Sequence, residues 1–205
     1  MKSETIGLLD DDSGILRSLD RLLRGRGYQV RQFSSAQEFL GSHGEADLDC
    51  LILDLAMPGV DGLELQARLK QSGSSLPIIF LTGEGDIPST VKAMKAGAVN
   101  FLTKPADIKE LMNALRLALM ESARHRADEE EIADLRGRFE RLSPREGEIL
   151  RHVIAGKLNK QIAADLGISE QTVKIHRMKI TEKMGLPSVA ELVRAAHQLH
   201  LEPVA

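Results

Sequence analysis

The residues that could do chemistry stand at the ends of short apolar runs. Asp10-Asp11-Asp12 closes the run at residues 6–9, Asp54 the run at 50–53, Thr82 the run at 78–81, and Thr103-Lys104-Pro105 the run at 99–102. Carboxylates brought together repel one another unless a cation joins them, and a hard, oxygen-liganded ion such as Mg²⁺ is the natural choice. A hydroxyl and an ammonium group beside them make a site suited to a transferring phosphoryl group. The carboxylate serves as nucleophile, while metal and lysine neutralise charge. Taken singly, an acidic run is more readily a solvated turn and a Lys-Pro pair a plain loop. The reading rests on four complementary groups arriving in order.

Those groups converge only if the elements carrying them are suitably arranged. A further apolar run lies at residues 30–33, and amphipathic stretches such as Leu16, Leu19, Leu22, Leu23 and Leu63, Leu65, Leu69 separate the runs. Five strands, each followed by a helix, predict a doubly wound α/β domain with a parallel sheet covered on both faces. Ligands bind such sheets at the carboxyl ends of the strands. From Asp107 onward Ile108, Leu111, Met112, Leu115 and Leu119 keep helical spacing, residues 121–131 turn highly charged, and Ile132, Leu135 and Phe139 resume the stripe. The fifth helix therefore runs into a charged linker that the sequence leaves open as helix or flexible tether.

The remainder reads as a small all-α domain of four short helices. Ser143-Pro144-Arg145-Glu146 and Ser188-Val189-Ala190-Glu191 have capping-box spacing, Asn159 and Ser169 are suited to cap the two helices between, and Gly156, Gly167 and Gly185 stop their helices. Gly167 lies between two helices whose apolar positions (Ile162, Ala163, Leu166, Ile168, Val173, Ile180) are spaced to pack together, which is helix-turn-helix spacing. The second helix, residues 170–184, places Thr172, Lys174, Arg177, Met178, Lys179 and Lys183 on exposed or partly exposed faces. A recognition helix needs cations for phosphates and a few side chains for base edges. On spacing alone, a basic helix in an ordinary bundle, or one serving a protein partner, fits equally well.

Leu8-Leu9-Asp10-Asp11-Asp12, residues 51–62 (Leu-Ile-Leu-Asp-Leu-Ala-Met-Pro-Gly-Val-Asp-Gly), Phe80-Leu81-Thr82-Gly83 and Phe101-Leu102-Thr103-Lys104-Pro105 together resemble a bacterial response-regulator receiver domain over residues 4–122. The resemblance implies that Asp54 accepts a phosphoryl group from a sensor histidine kinase. It also implies that Asp11, Asp54 and the backbone carbonyl of Ala56 ligate Mg²⁺, with Asp10 doing so directly or through water, and that Lys104 pairs with the phosphoryl oxygens. A cis bond at Lys104–Pro105 is allowed by it. Thr82 would swing toward the aspartyl phosphate and Phe101 would rotate into the space left, changing the surface of helix four, strand five and helix five. Phe101 has no hydroxyl, so only the steric part of that switch carries over. Ala56 cannot orient an attacking water through its side chain, whereas Glu84 is placed to do so.

Leu142-Ser143-Pro144-Arg145-Glu146, Asn159-Lys160-Gln161-Ile162-Ala163, Thr172-Val173-Lys174-Ile175-His176-Arg177 and Lys183-Met184-Gly185 resemble the LuxR-type DNA-binding domain over residues 138–202, leaving 123–137 as linker. This implies that Lys174, Ile175 and Met178 face the major groove and that Asn159, Lys160, Thr172, Arg177 and Lys179 contact phosphates; for His176 a phosphate contact and packing remain equal. The whole chain resembles the NarL/FixJ subfamily of response regulators, with most likeness to the FixJ type. That implies a transcription factor acting on double-stranded promoter DNA and RNA polymerase, a homodimer on phosphorylation.

Composition agrees with two jobs. The chain has 205 residues and a formal charge of −3, divided as 14 Lys/Arg against 17 Asp/Glu in residues 1–124, 4 against 6 in 125–141 and 9 against 7 in 142–205. Aromatics make up only 3%, which argues against base-stacking or sugar-binding platforms. The single Cys50 excludes an internal disulfide framework and reads as an inert core residue. No apolar run approaches a membrane span and residues 1–12 lack a signal-peptide layout, so a cytoplasmic protein without a membrane partner is expected. His197 and His200 lack a third metal ligand, and Gly83 and Gly85 around Glu84 read as loop flexibility. Two rivals stand. A Mg²⁺ phosphohydrolase using Asp54 lacks a second acid, because position 56 is alanine. A binding module indifferent to phosphorylation would leave the acidic pocket without a role.

Overall fold

The computed structural model describes residues 3–45, 47–83 and 87–204, in two compact units, Met1–Arg126 and Ala127–Ala205. In the first, β1 (Thr5–Leu9), α1 (Ser13–Arg24), β2 (Gln29–Phe33), α2 (Ala36–Gly41), β3 (Cys50–Leu53), α3 (Gly62–Gln71), β4 (Ile78–Thr82), α4 (Ile87–Lys95) and β5 (Asn100–Thr103) alternate, and α5 (Ile108–Glu140) begins in it, its residues 127–140 belonging to the second unit. The strands form a single parallel sheet in the order β2-β1-β3-β4-β5.

The two-residue period of a strand explains why the runs at 6–9, 50–53 and 78–81 are apolar throughout, whereas the run at 30–33, in an edge strand, is apolar only at Val30 and Phe33. Ile6, Leu8, Ile52 and Leu81 point to one face and pack with α1 and α5 through Leu16, Leu23, Leu111 and Leu115. Leu9, Leu51, Leu53 and Phe80 point to the other and pack with Phe39, Leu65 and Ala93. The inner strands β1, β3 and β4 are buried on both faces, whereas the edge strands β2 and β5 are covered only in part, with Gln29 and Gln32 exposed. In the inner strands the apolar run ends where the strand leaves the sheet, and there Asp10, Asp54 and Thr82 stand, with Lys104 just past β5.

Helix α5 is continuous from Ile108 to Glu140, so the charged segment is helical. Its residues are mainly alanine, glutamate and arginine, all good helix formers. Pairs one turn apart support it, with His125 Nε2 3.6 Å from Glu121 Oε1 and Arg138 Nη2 2.6 Å from Asp134 Oδ2.

The second unit packs α6 (Pro144–Ile154), α7 (Asn159–Leu166), α8 (Glu170–Met184) and α9 (Val189–Gln198) around Ile149, Leu150, Ile162, Val173, Ile180 and Leu192. Ser143 and Ser188 complete capping boxes with Glu146 and Glu191, and Ser169 caps α8. Asn159 departs from expectation: it is the first helical residue of α7, preceded by Leu158 at the cap. Leucine has no acceptor there, and Gln161 Oε1 instead accepts from the Leu158 amide at 2.7 Å. Among the described residues no helix is long and apolar enough to cross a membrane.

Candidate functional site

The parallel register brings the strand ends to one edge. Asp54 follows β3 and its amide donates to the Leu9 carbonyl at 2.9 Å, which seats it beside Asp10 at the end of β1. Asp10 is 4% and Asp54 7% exposed, while Asp11 projects to solvent. Carboxylate oxygens of all three lie within 4.8 Å of one another. Opposite ligands around a six-coordinate Mg²⁺ stand about 4 Å apart, so this donor set fits a small hard cation with little adjustment. Ala56 lies two residues beyond Asp54 in the exposed loop before α3.

Lys104, just past β5, points into the cluster. Its Nζ is 2.6 Å from Asp10 Oδ2 and 3.1 Å from Asp54 Oδ2. Burial presses the ammonium toward neutrality, but the hydrogen bonds to Asp10 and Asp54 outweigh it and raise its pKa. Burial is also the largest influence on Asp10, raising its pKa despite the bonds from Lys104 and the Asp12 amide. Three carboxylates facing one ammonium leave a formal charge of −2, which suits a divalent cation or a phosphoryl group carrying one. The Lys104–Pro105 bond is cis.

Thr82 ends β4, fully buried, in register with Thr103, and the Lys104 amide donates to the Thr82 carbonyl at 2.7 Å. Phe101 is half-buried on β5, its ring centroid 5.9 Å from that of Phe80. Glu84 and Gly85 lie outside the described residues.

Two features of the pocket escape a reading by residue type. Asp12 is a helix cap, its Oδ1 accepting from the amides of Gly14 and Ile15. Gly62 is where α3 crosses the loop that follows β3: a Cβ there would stand 2.4 Å from the Asp54 carbonyl oxygen and 2.9 Å from Phe80 Cε1. The Asp-Gly pair at 61–62, capping a helix just after the Asp54 loop, is the signal that could have marked it.

In the second unit, α8 buries Val173, Ile180 and Met184 and turns Lys174, Ile175, Met178 and Lys179 outward, with Met178 62% exposed. Lys160 is exposed in the first turn of α7. Arg177 and Asn159 meet each other, Nη1 donating to Oδ1 at 3.0 Å. The Thr172 hydroxyl lies 2.8 Å from Ser169 Oγ. His176 Nδ1 is enclosed without a hydrogen-bond partner, which favours packing for that side chain. Glu146, although charged, is buried beneath this helix and bonded to Lys183 Nζ at 2.6 Å. The capping-box spacing made Glu146 visible; Lys183 carried no such mark.

A five-stranded doubly wound sheet with an acidic pocket and a conjugate lysine, followed by a helix-turn-helix unit, defines a signal-receiving domain joined to a DNA-binding one. Residues 6–116 match the response regulator receiver domain and residues 140–196 the luxR family of bacterial regulatory proteins. The response regulator protein TodT of Pseudomonas putida is 45% identical, over 97% of this chain and 87% of that protein. The transcriptional regulatory protein FixJ of Azorhizobium caulinodans is 40% identical, over 95% and 92%. Among solved structures, response regulator StyR superposes with a TM-score of 0.80 at 41% identity, covering 96% of this chain and 100% of that one. Full-length FixJ from B. japonicum gives a TM-score of 0.59 at 37% identity, covering 98% and 99%. The chain belongs to the NarL/FixJ family of two-component response regulators, with a receiver domain and a LuxR-type DNA-binding domain, and is a transcriptional regulator.

Proposed function

We propose that Asp54 is the phosphoacceptor and that its phosphorylation controls dimerisation and promoter binding. The observation that carries this is Asp54 itself, buried, within 3.1 Å of Lys104 Nζ and clustered with Asp10 and Asp11. An Asp54 carboxylate oxygen attacks the phosphorus of a phosphohistidine on the sensor kinase. The P–O bond forms as the P–N bond breaks, and that electron pair returns to the imidazole. Asp10, Asp11, Asp54 and the Ala56 carbonyl would hold Mg²⁺, which when bound would supply positive charge to the site. Lys104 pairs with a phosphoryl oxygen, exchanging its contacts with Asp10 and Asp54 for the incoming charge. Thr82 and Phe101 report the event by repacking β4 and β5.

The receiver domain so read covers residues 4–122 and the DNA-binding domain 138–202. In the latter, Lys174, Ile175 and Met178 read base edges, while Thr172, Lys179, Lys160, Asn159 and Arg177 approach phosphates. A surplus of only two cations in residues 142–205 makes binding by one copy weak. A homodimer in the cytoplasm, recruiting RNA polymerase, would double the phosphate contacts. Ala56 leaves no acid to protonate a leaving group, which disfavours turnover of free phosphate esters. The test is selection of duplex DNA with and without beryllofluoride and Mg²⁺, repeated on Asp54→Asn. Tighter binding and dimerisation only in the treated wild type are expected. No response in the wild type would refute phosphorylation control.

A further inference from the structure

We propose that Arg138, near the end of α5, is a positioning residue for the recognition helix α8; this rests on the DNA-binding reading of that helix. The last carbonyls of a helix lack intrahelical partners and form its negative end. Arg138 meets one of them, Nη1 donating to the Met184 carbonyl at 3.0 Å. Its Nη2 lies 2.6 Å from Asp134 Oδ2, one turn earlier in α5, which aims the guanidinium.

Access depends on Gly185. This residue caps α8 in the left-handed conformation, with φ +65°, and a Cβ on it would stand 2.8 Å from Arg138 Nη1. The glycine thus serves twice, turning the chain and leaving room for the guanidinium. Beside it Lys183 Nζ donates to the Arg141 carbonyl at 3.1 Å and to Glu146 Oε2 at 2.6 Å. Phe139 and Leu142 pack on the core that holds Val173, Ile180 and Met184.

The last turns of α5 therefore fix the C-terminal end of α8, while Ser169 caps the other end. A helix of 15 residues is a rod about 22 Å long. Loosened at its C-terminal end, it pivots about its first turn. Arg177, Met178 and Lys179 then move further than Thr172, Lys174 and Ile175, so the phosphate contacts of Arg177 and Lys179 are lost together with the Met178 contact.

The test measures binding of the full chain, wild type and variants alike treated with beryllofluoride and Mg²⁺, to a random-sequence duplex across a salt series, with the active fraction titrated at saturating DNA. Arg138→Ala is expected to weaken binding per active molecule about tenfold and to reduce the slope of log K against log salt by about one. Simple unfolding lowers the active fraction and leaves the slope alone. Gly185→Ala keeps the Arg138 charge but drives it from Met184 and strains the left-handed cap; a matching loss of slope that is not deepened in the Arg138→Ala, Gly185→Ala double variant separates positioning from a direct phosphate contact and from cap strain. Arg138→Lys, keeping one donor, is expected to recover part of the loss. Wild-type slope and affinity in Arg138→Ala, or a wild-type slope in Gly185→Ala, would overturn the proposal. A wild type without affinity for duplex would overturn the DNA-binding reading and this role together; hydrogen exchange at residues 181–186 would still show whether the Arg138 contact holds the end of α8.

Discussion

Replacing Glu146 with glutamine keeps the shape of the side chain and removes its charge. Glu146 is 3% exposed. Its carboxylate accepts from Lys183 Nζ at 2.6 Å and from the Ser143 amide at 2.8 Å. The Lys183 bond, then the Ser143 amide, hold its pKa at about 2 against an ordinary 4.5. At about 1.4 kcal/mol per pH unit of displacement, the folded anion is favoured by about 3 kcal/mol at neutral pH. Glutamine retains part of the capping bond, so Glu146→Gln is expected to cost about 2 kcal/mol. In a domain of this size that lowers the melting temperature by roughly 10 °C. The sign with pH is fixed. The carboxyl is lowered on folding, so its contribution is complete above the unfolded value near 4.5 and is lost as pH falls toward about 2. Calorimetry of wild type and variant from neutral pH down to about 3 reads the gap directly. A gap under about 0.5 kcal/mol at neutral pH, or one that fails to narrow in acid, would refute the reasoning.

Other outcomes follow from the same geometry. Gly62→Ala forces a Cβ to within 2.4 Å of the Asp54 carbonyl; displacement of the nucleophile should slow phosphorylation by acetyl phosphate about a hundredfold, and a wild-type rate in a folded variant would count against the crossing. Ala56→Asn brings an amide beside the acyl phosphate and is expected to change its half-life in radiolabel decay; an unchanged half-life removes position 56 from lifetime control. Asn159→Ala removes the acceptor of Arg177 and should cost about 1 kcal/mol in unfolding experiments, with no loss meaning that α7 and α8 do not depend on that bond. Cys50 is fully buried and its thiol pKa is pushed up by burial, so a disulfide reagent should label it only after denaturation.

The ends of β1, β3 and β4 were legible because these inner strands are buried on both faces: a continuous apolar run can end only at the first polar residue, as at Leu53–Asp54. Topology then supplies the meeting of Asp10, Asp54, Thr82 and Lys104 without further information. The division of labour among Asp10, Asp11 and Asp12 was not legible, since residue type is the same for all three. Backbone direction alone buries the first, exposes the second and turns the third to cap α1. The linker could not be decided because charge runs serve helices and tethers equally, and pairs one turn apart settle it as helix. Asn159 lost the cap of α7 because Gln161 reaches back to the Leu158 amide, a competition that propensity does not rank. The Glu146–Lys183 bond joins the start of α6 to the last turn of α8, and only tertiary packing reveals it.

The side-by-side register of β1, β3, β4 and β5 has a consequence for how such a chain can change. Position in the pocket is a matter of counting residues along each strand, so the site is indifferent to the length of connections at the opposite edge. Sequence can drift, grow or be spliced there at small cost. A single deletion inside β3 would instead bring Leu55 to the place of Asp54 and reverse every inward and outward side chain beyond it. The acidic pocket is thus protected against gradual loss by length variation: a change of one residue in a strand abolishes it outright, and a change of several in the distant loops leaves it untouched.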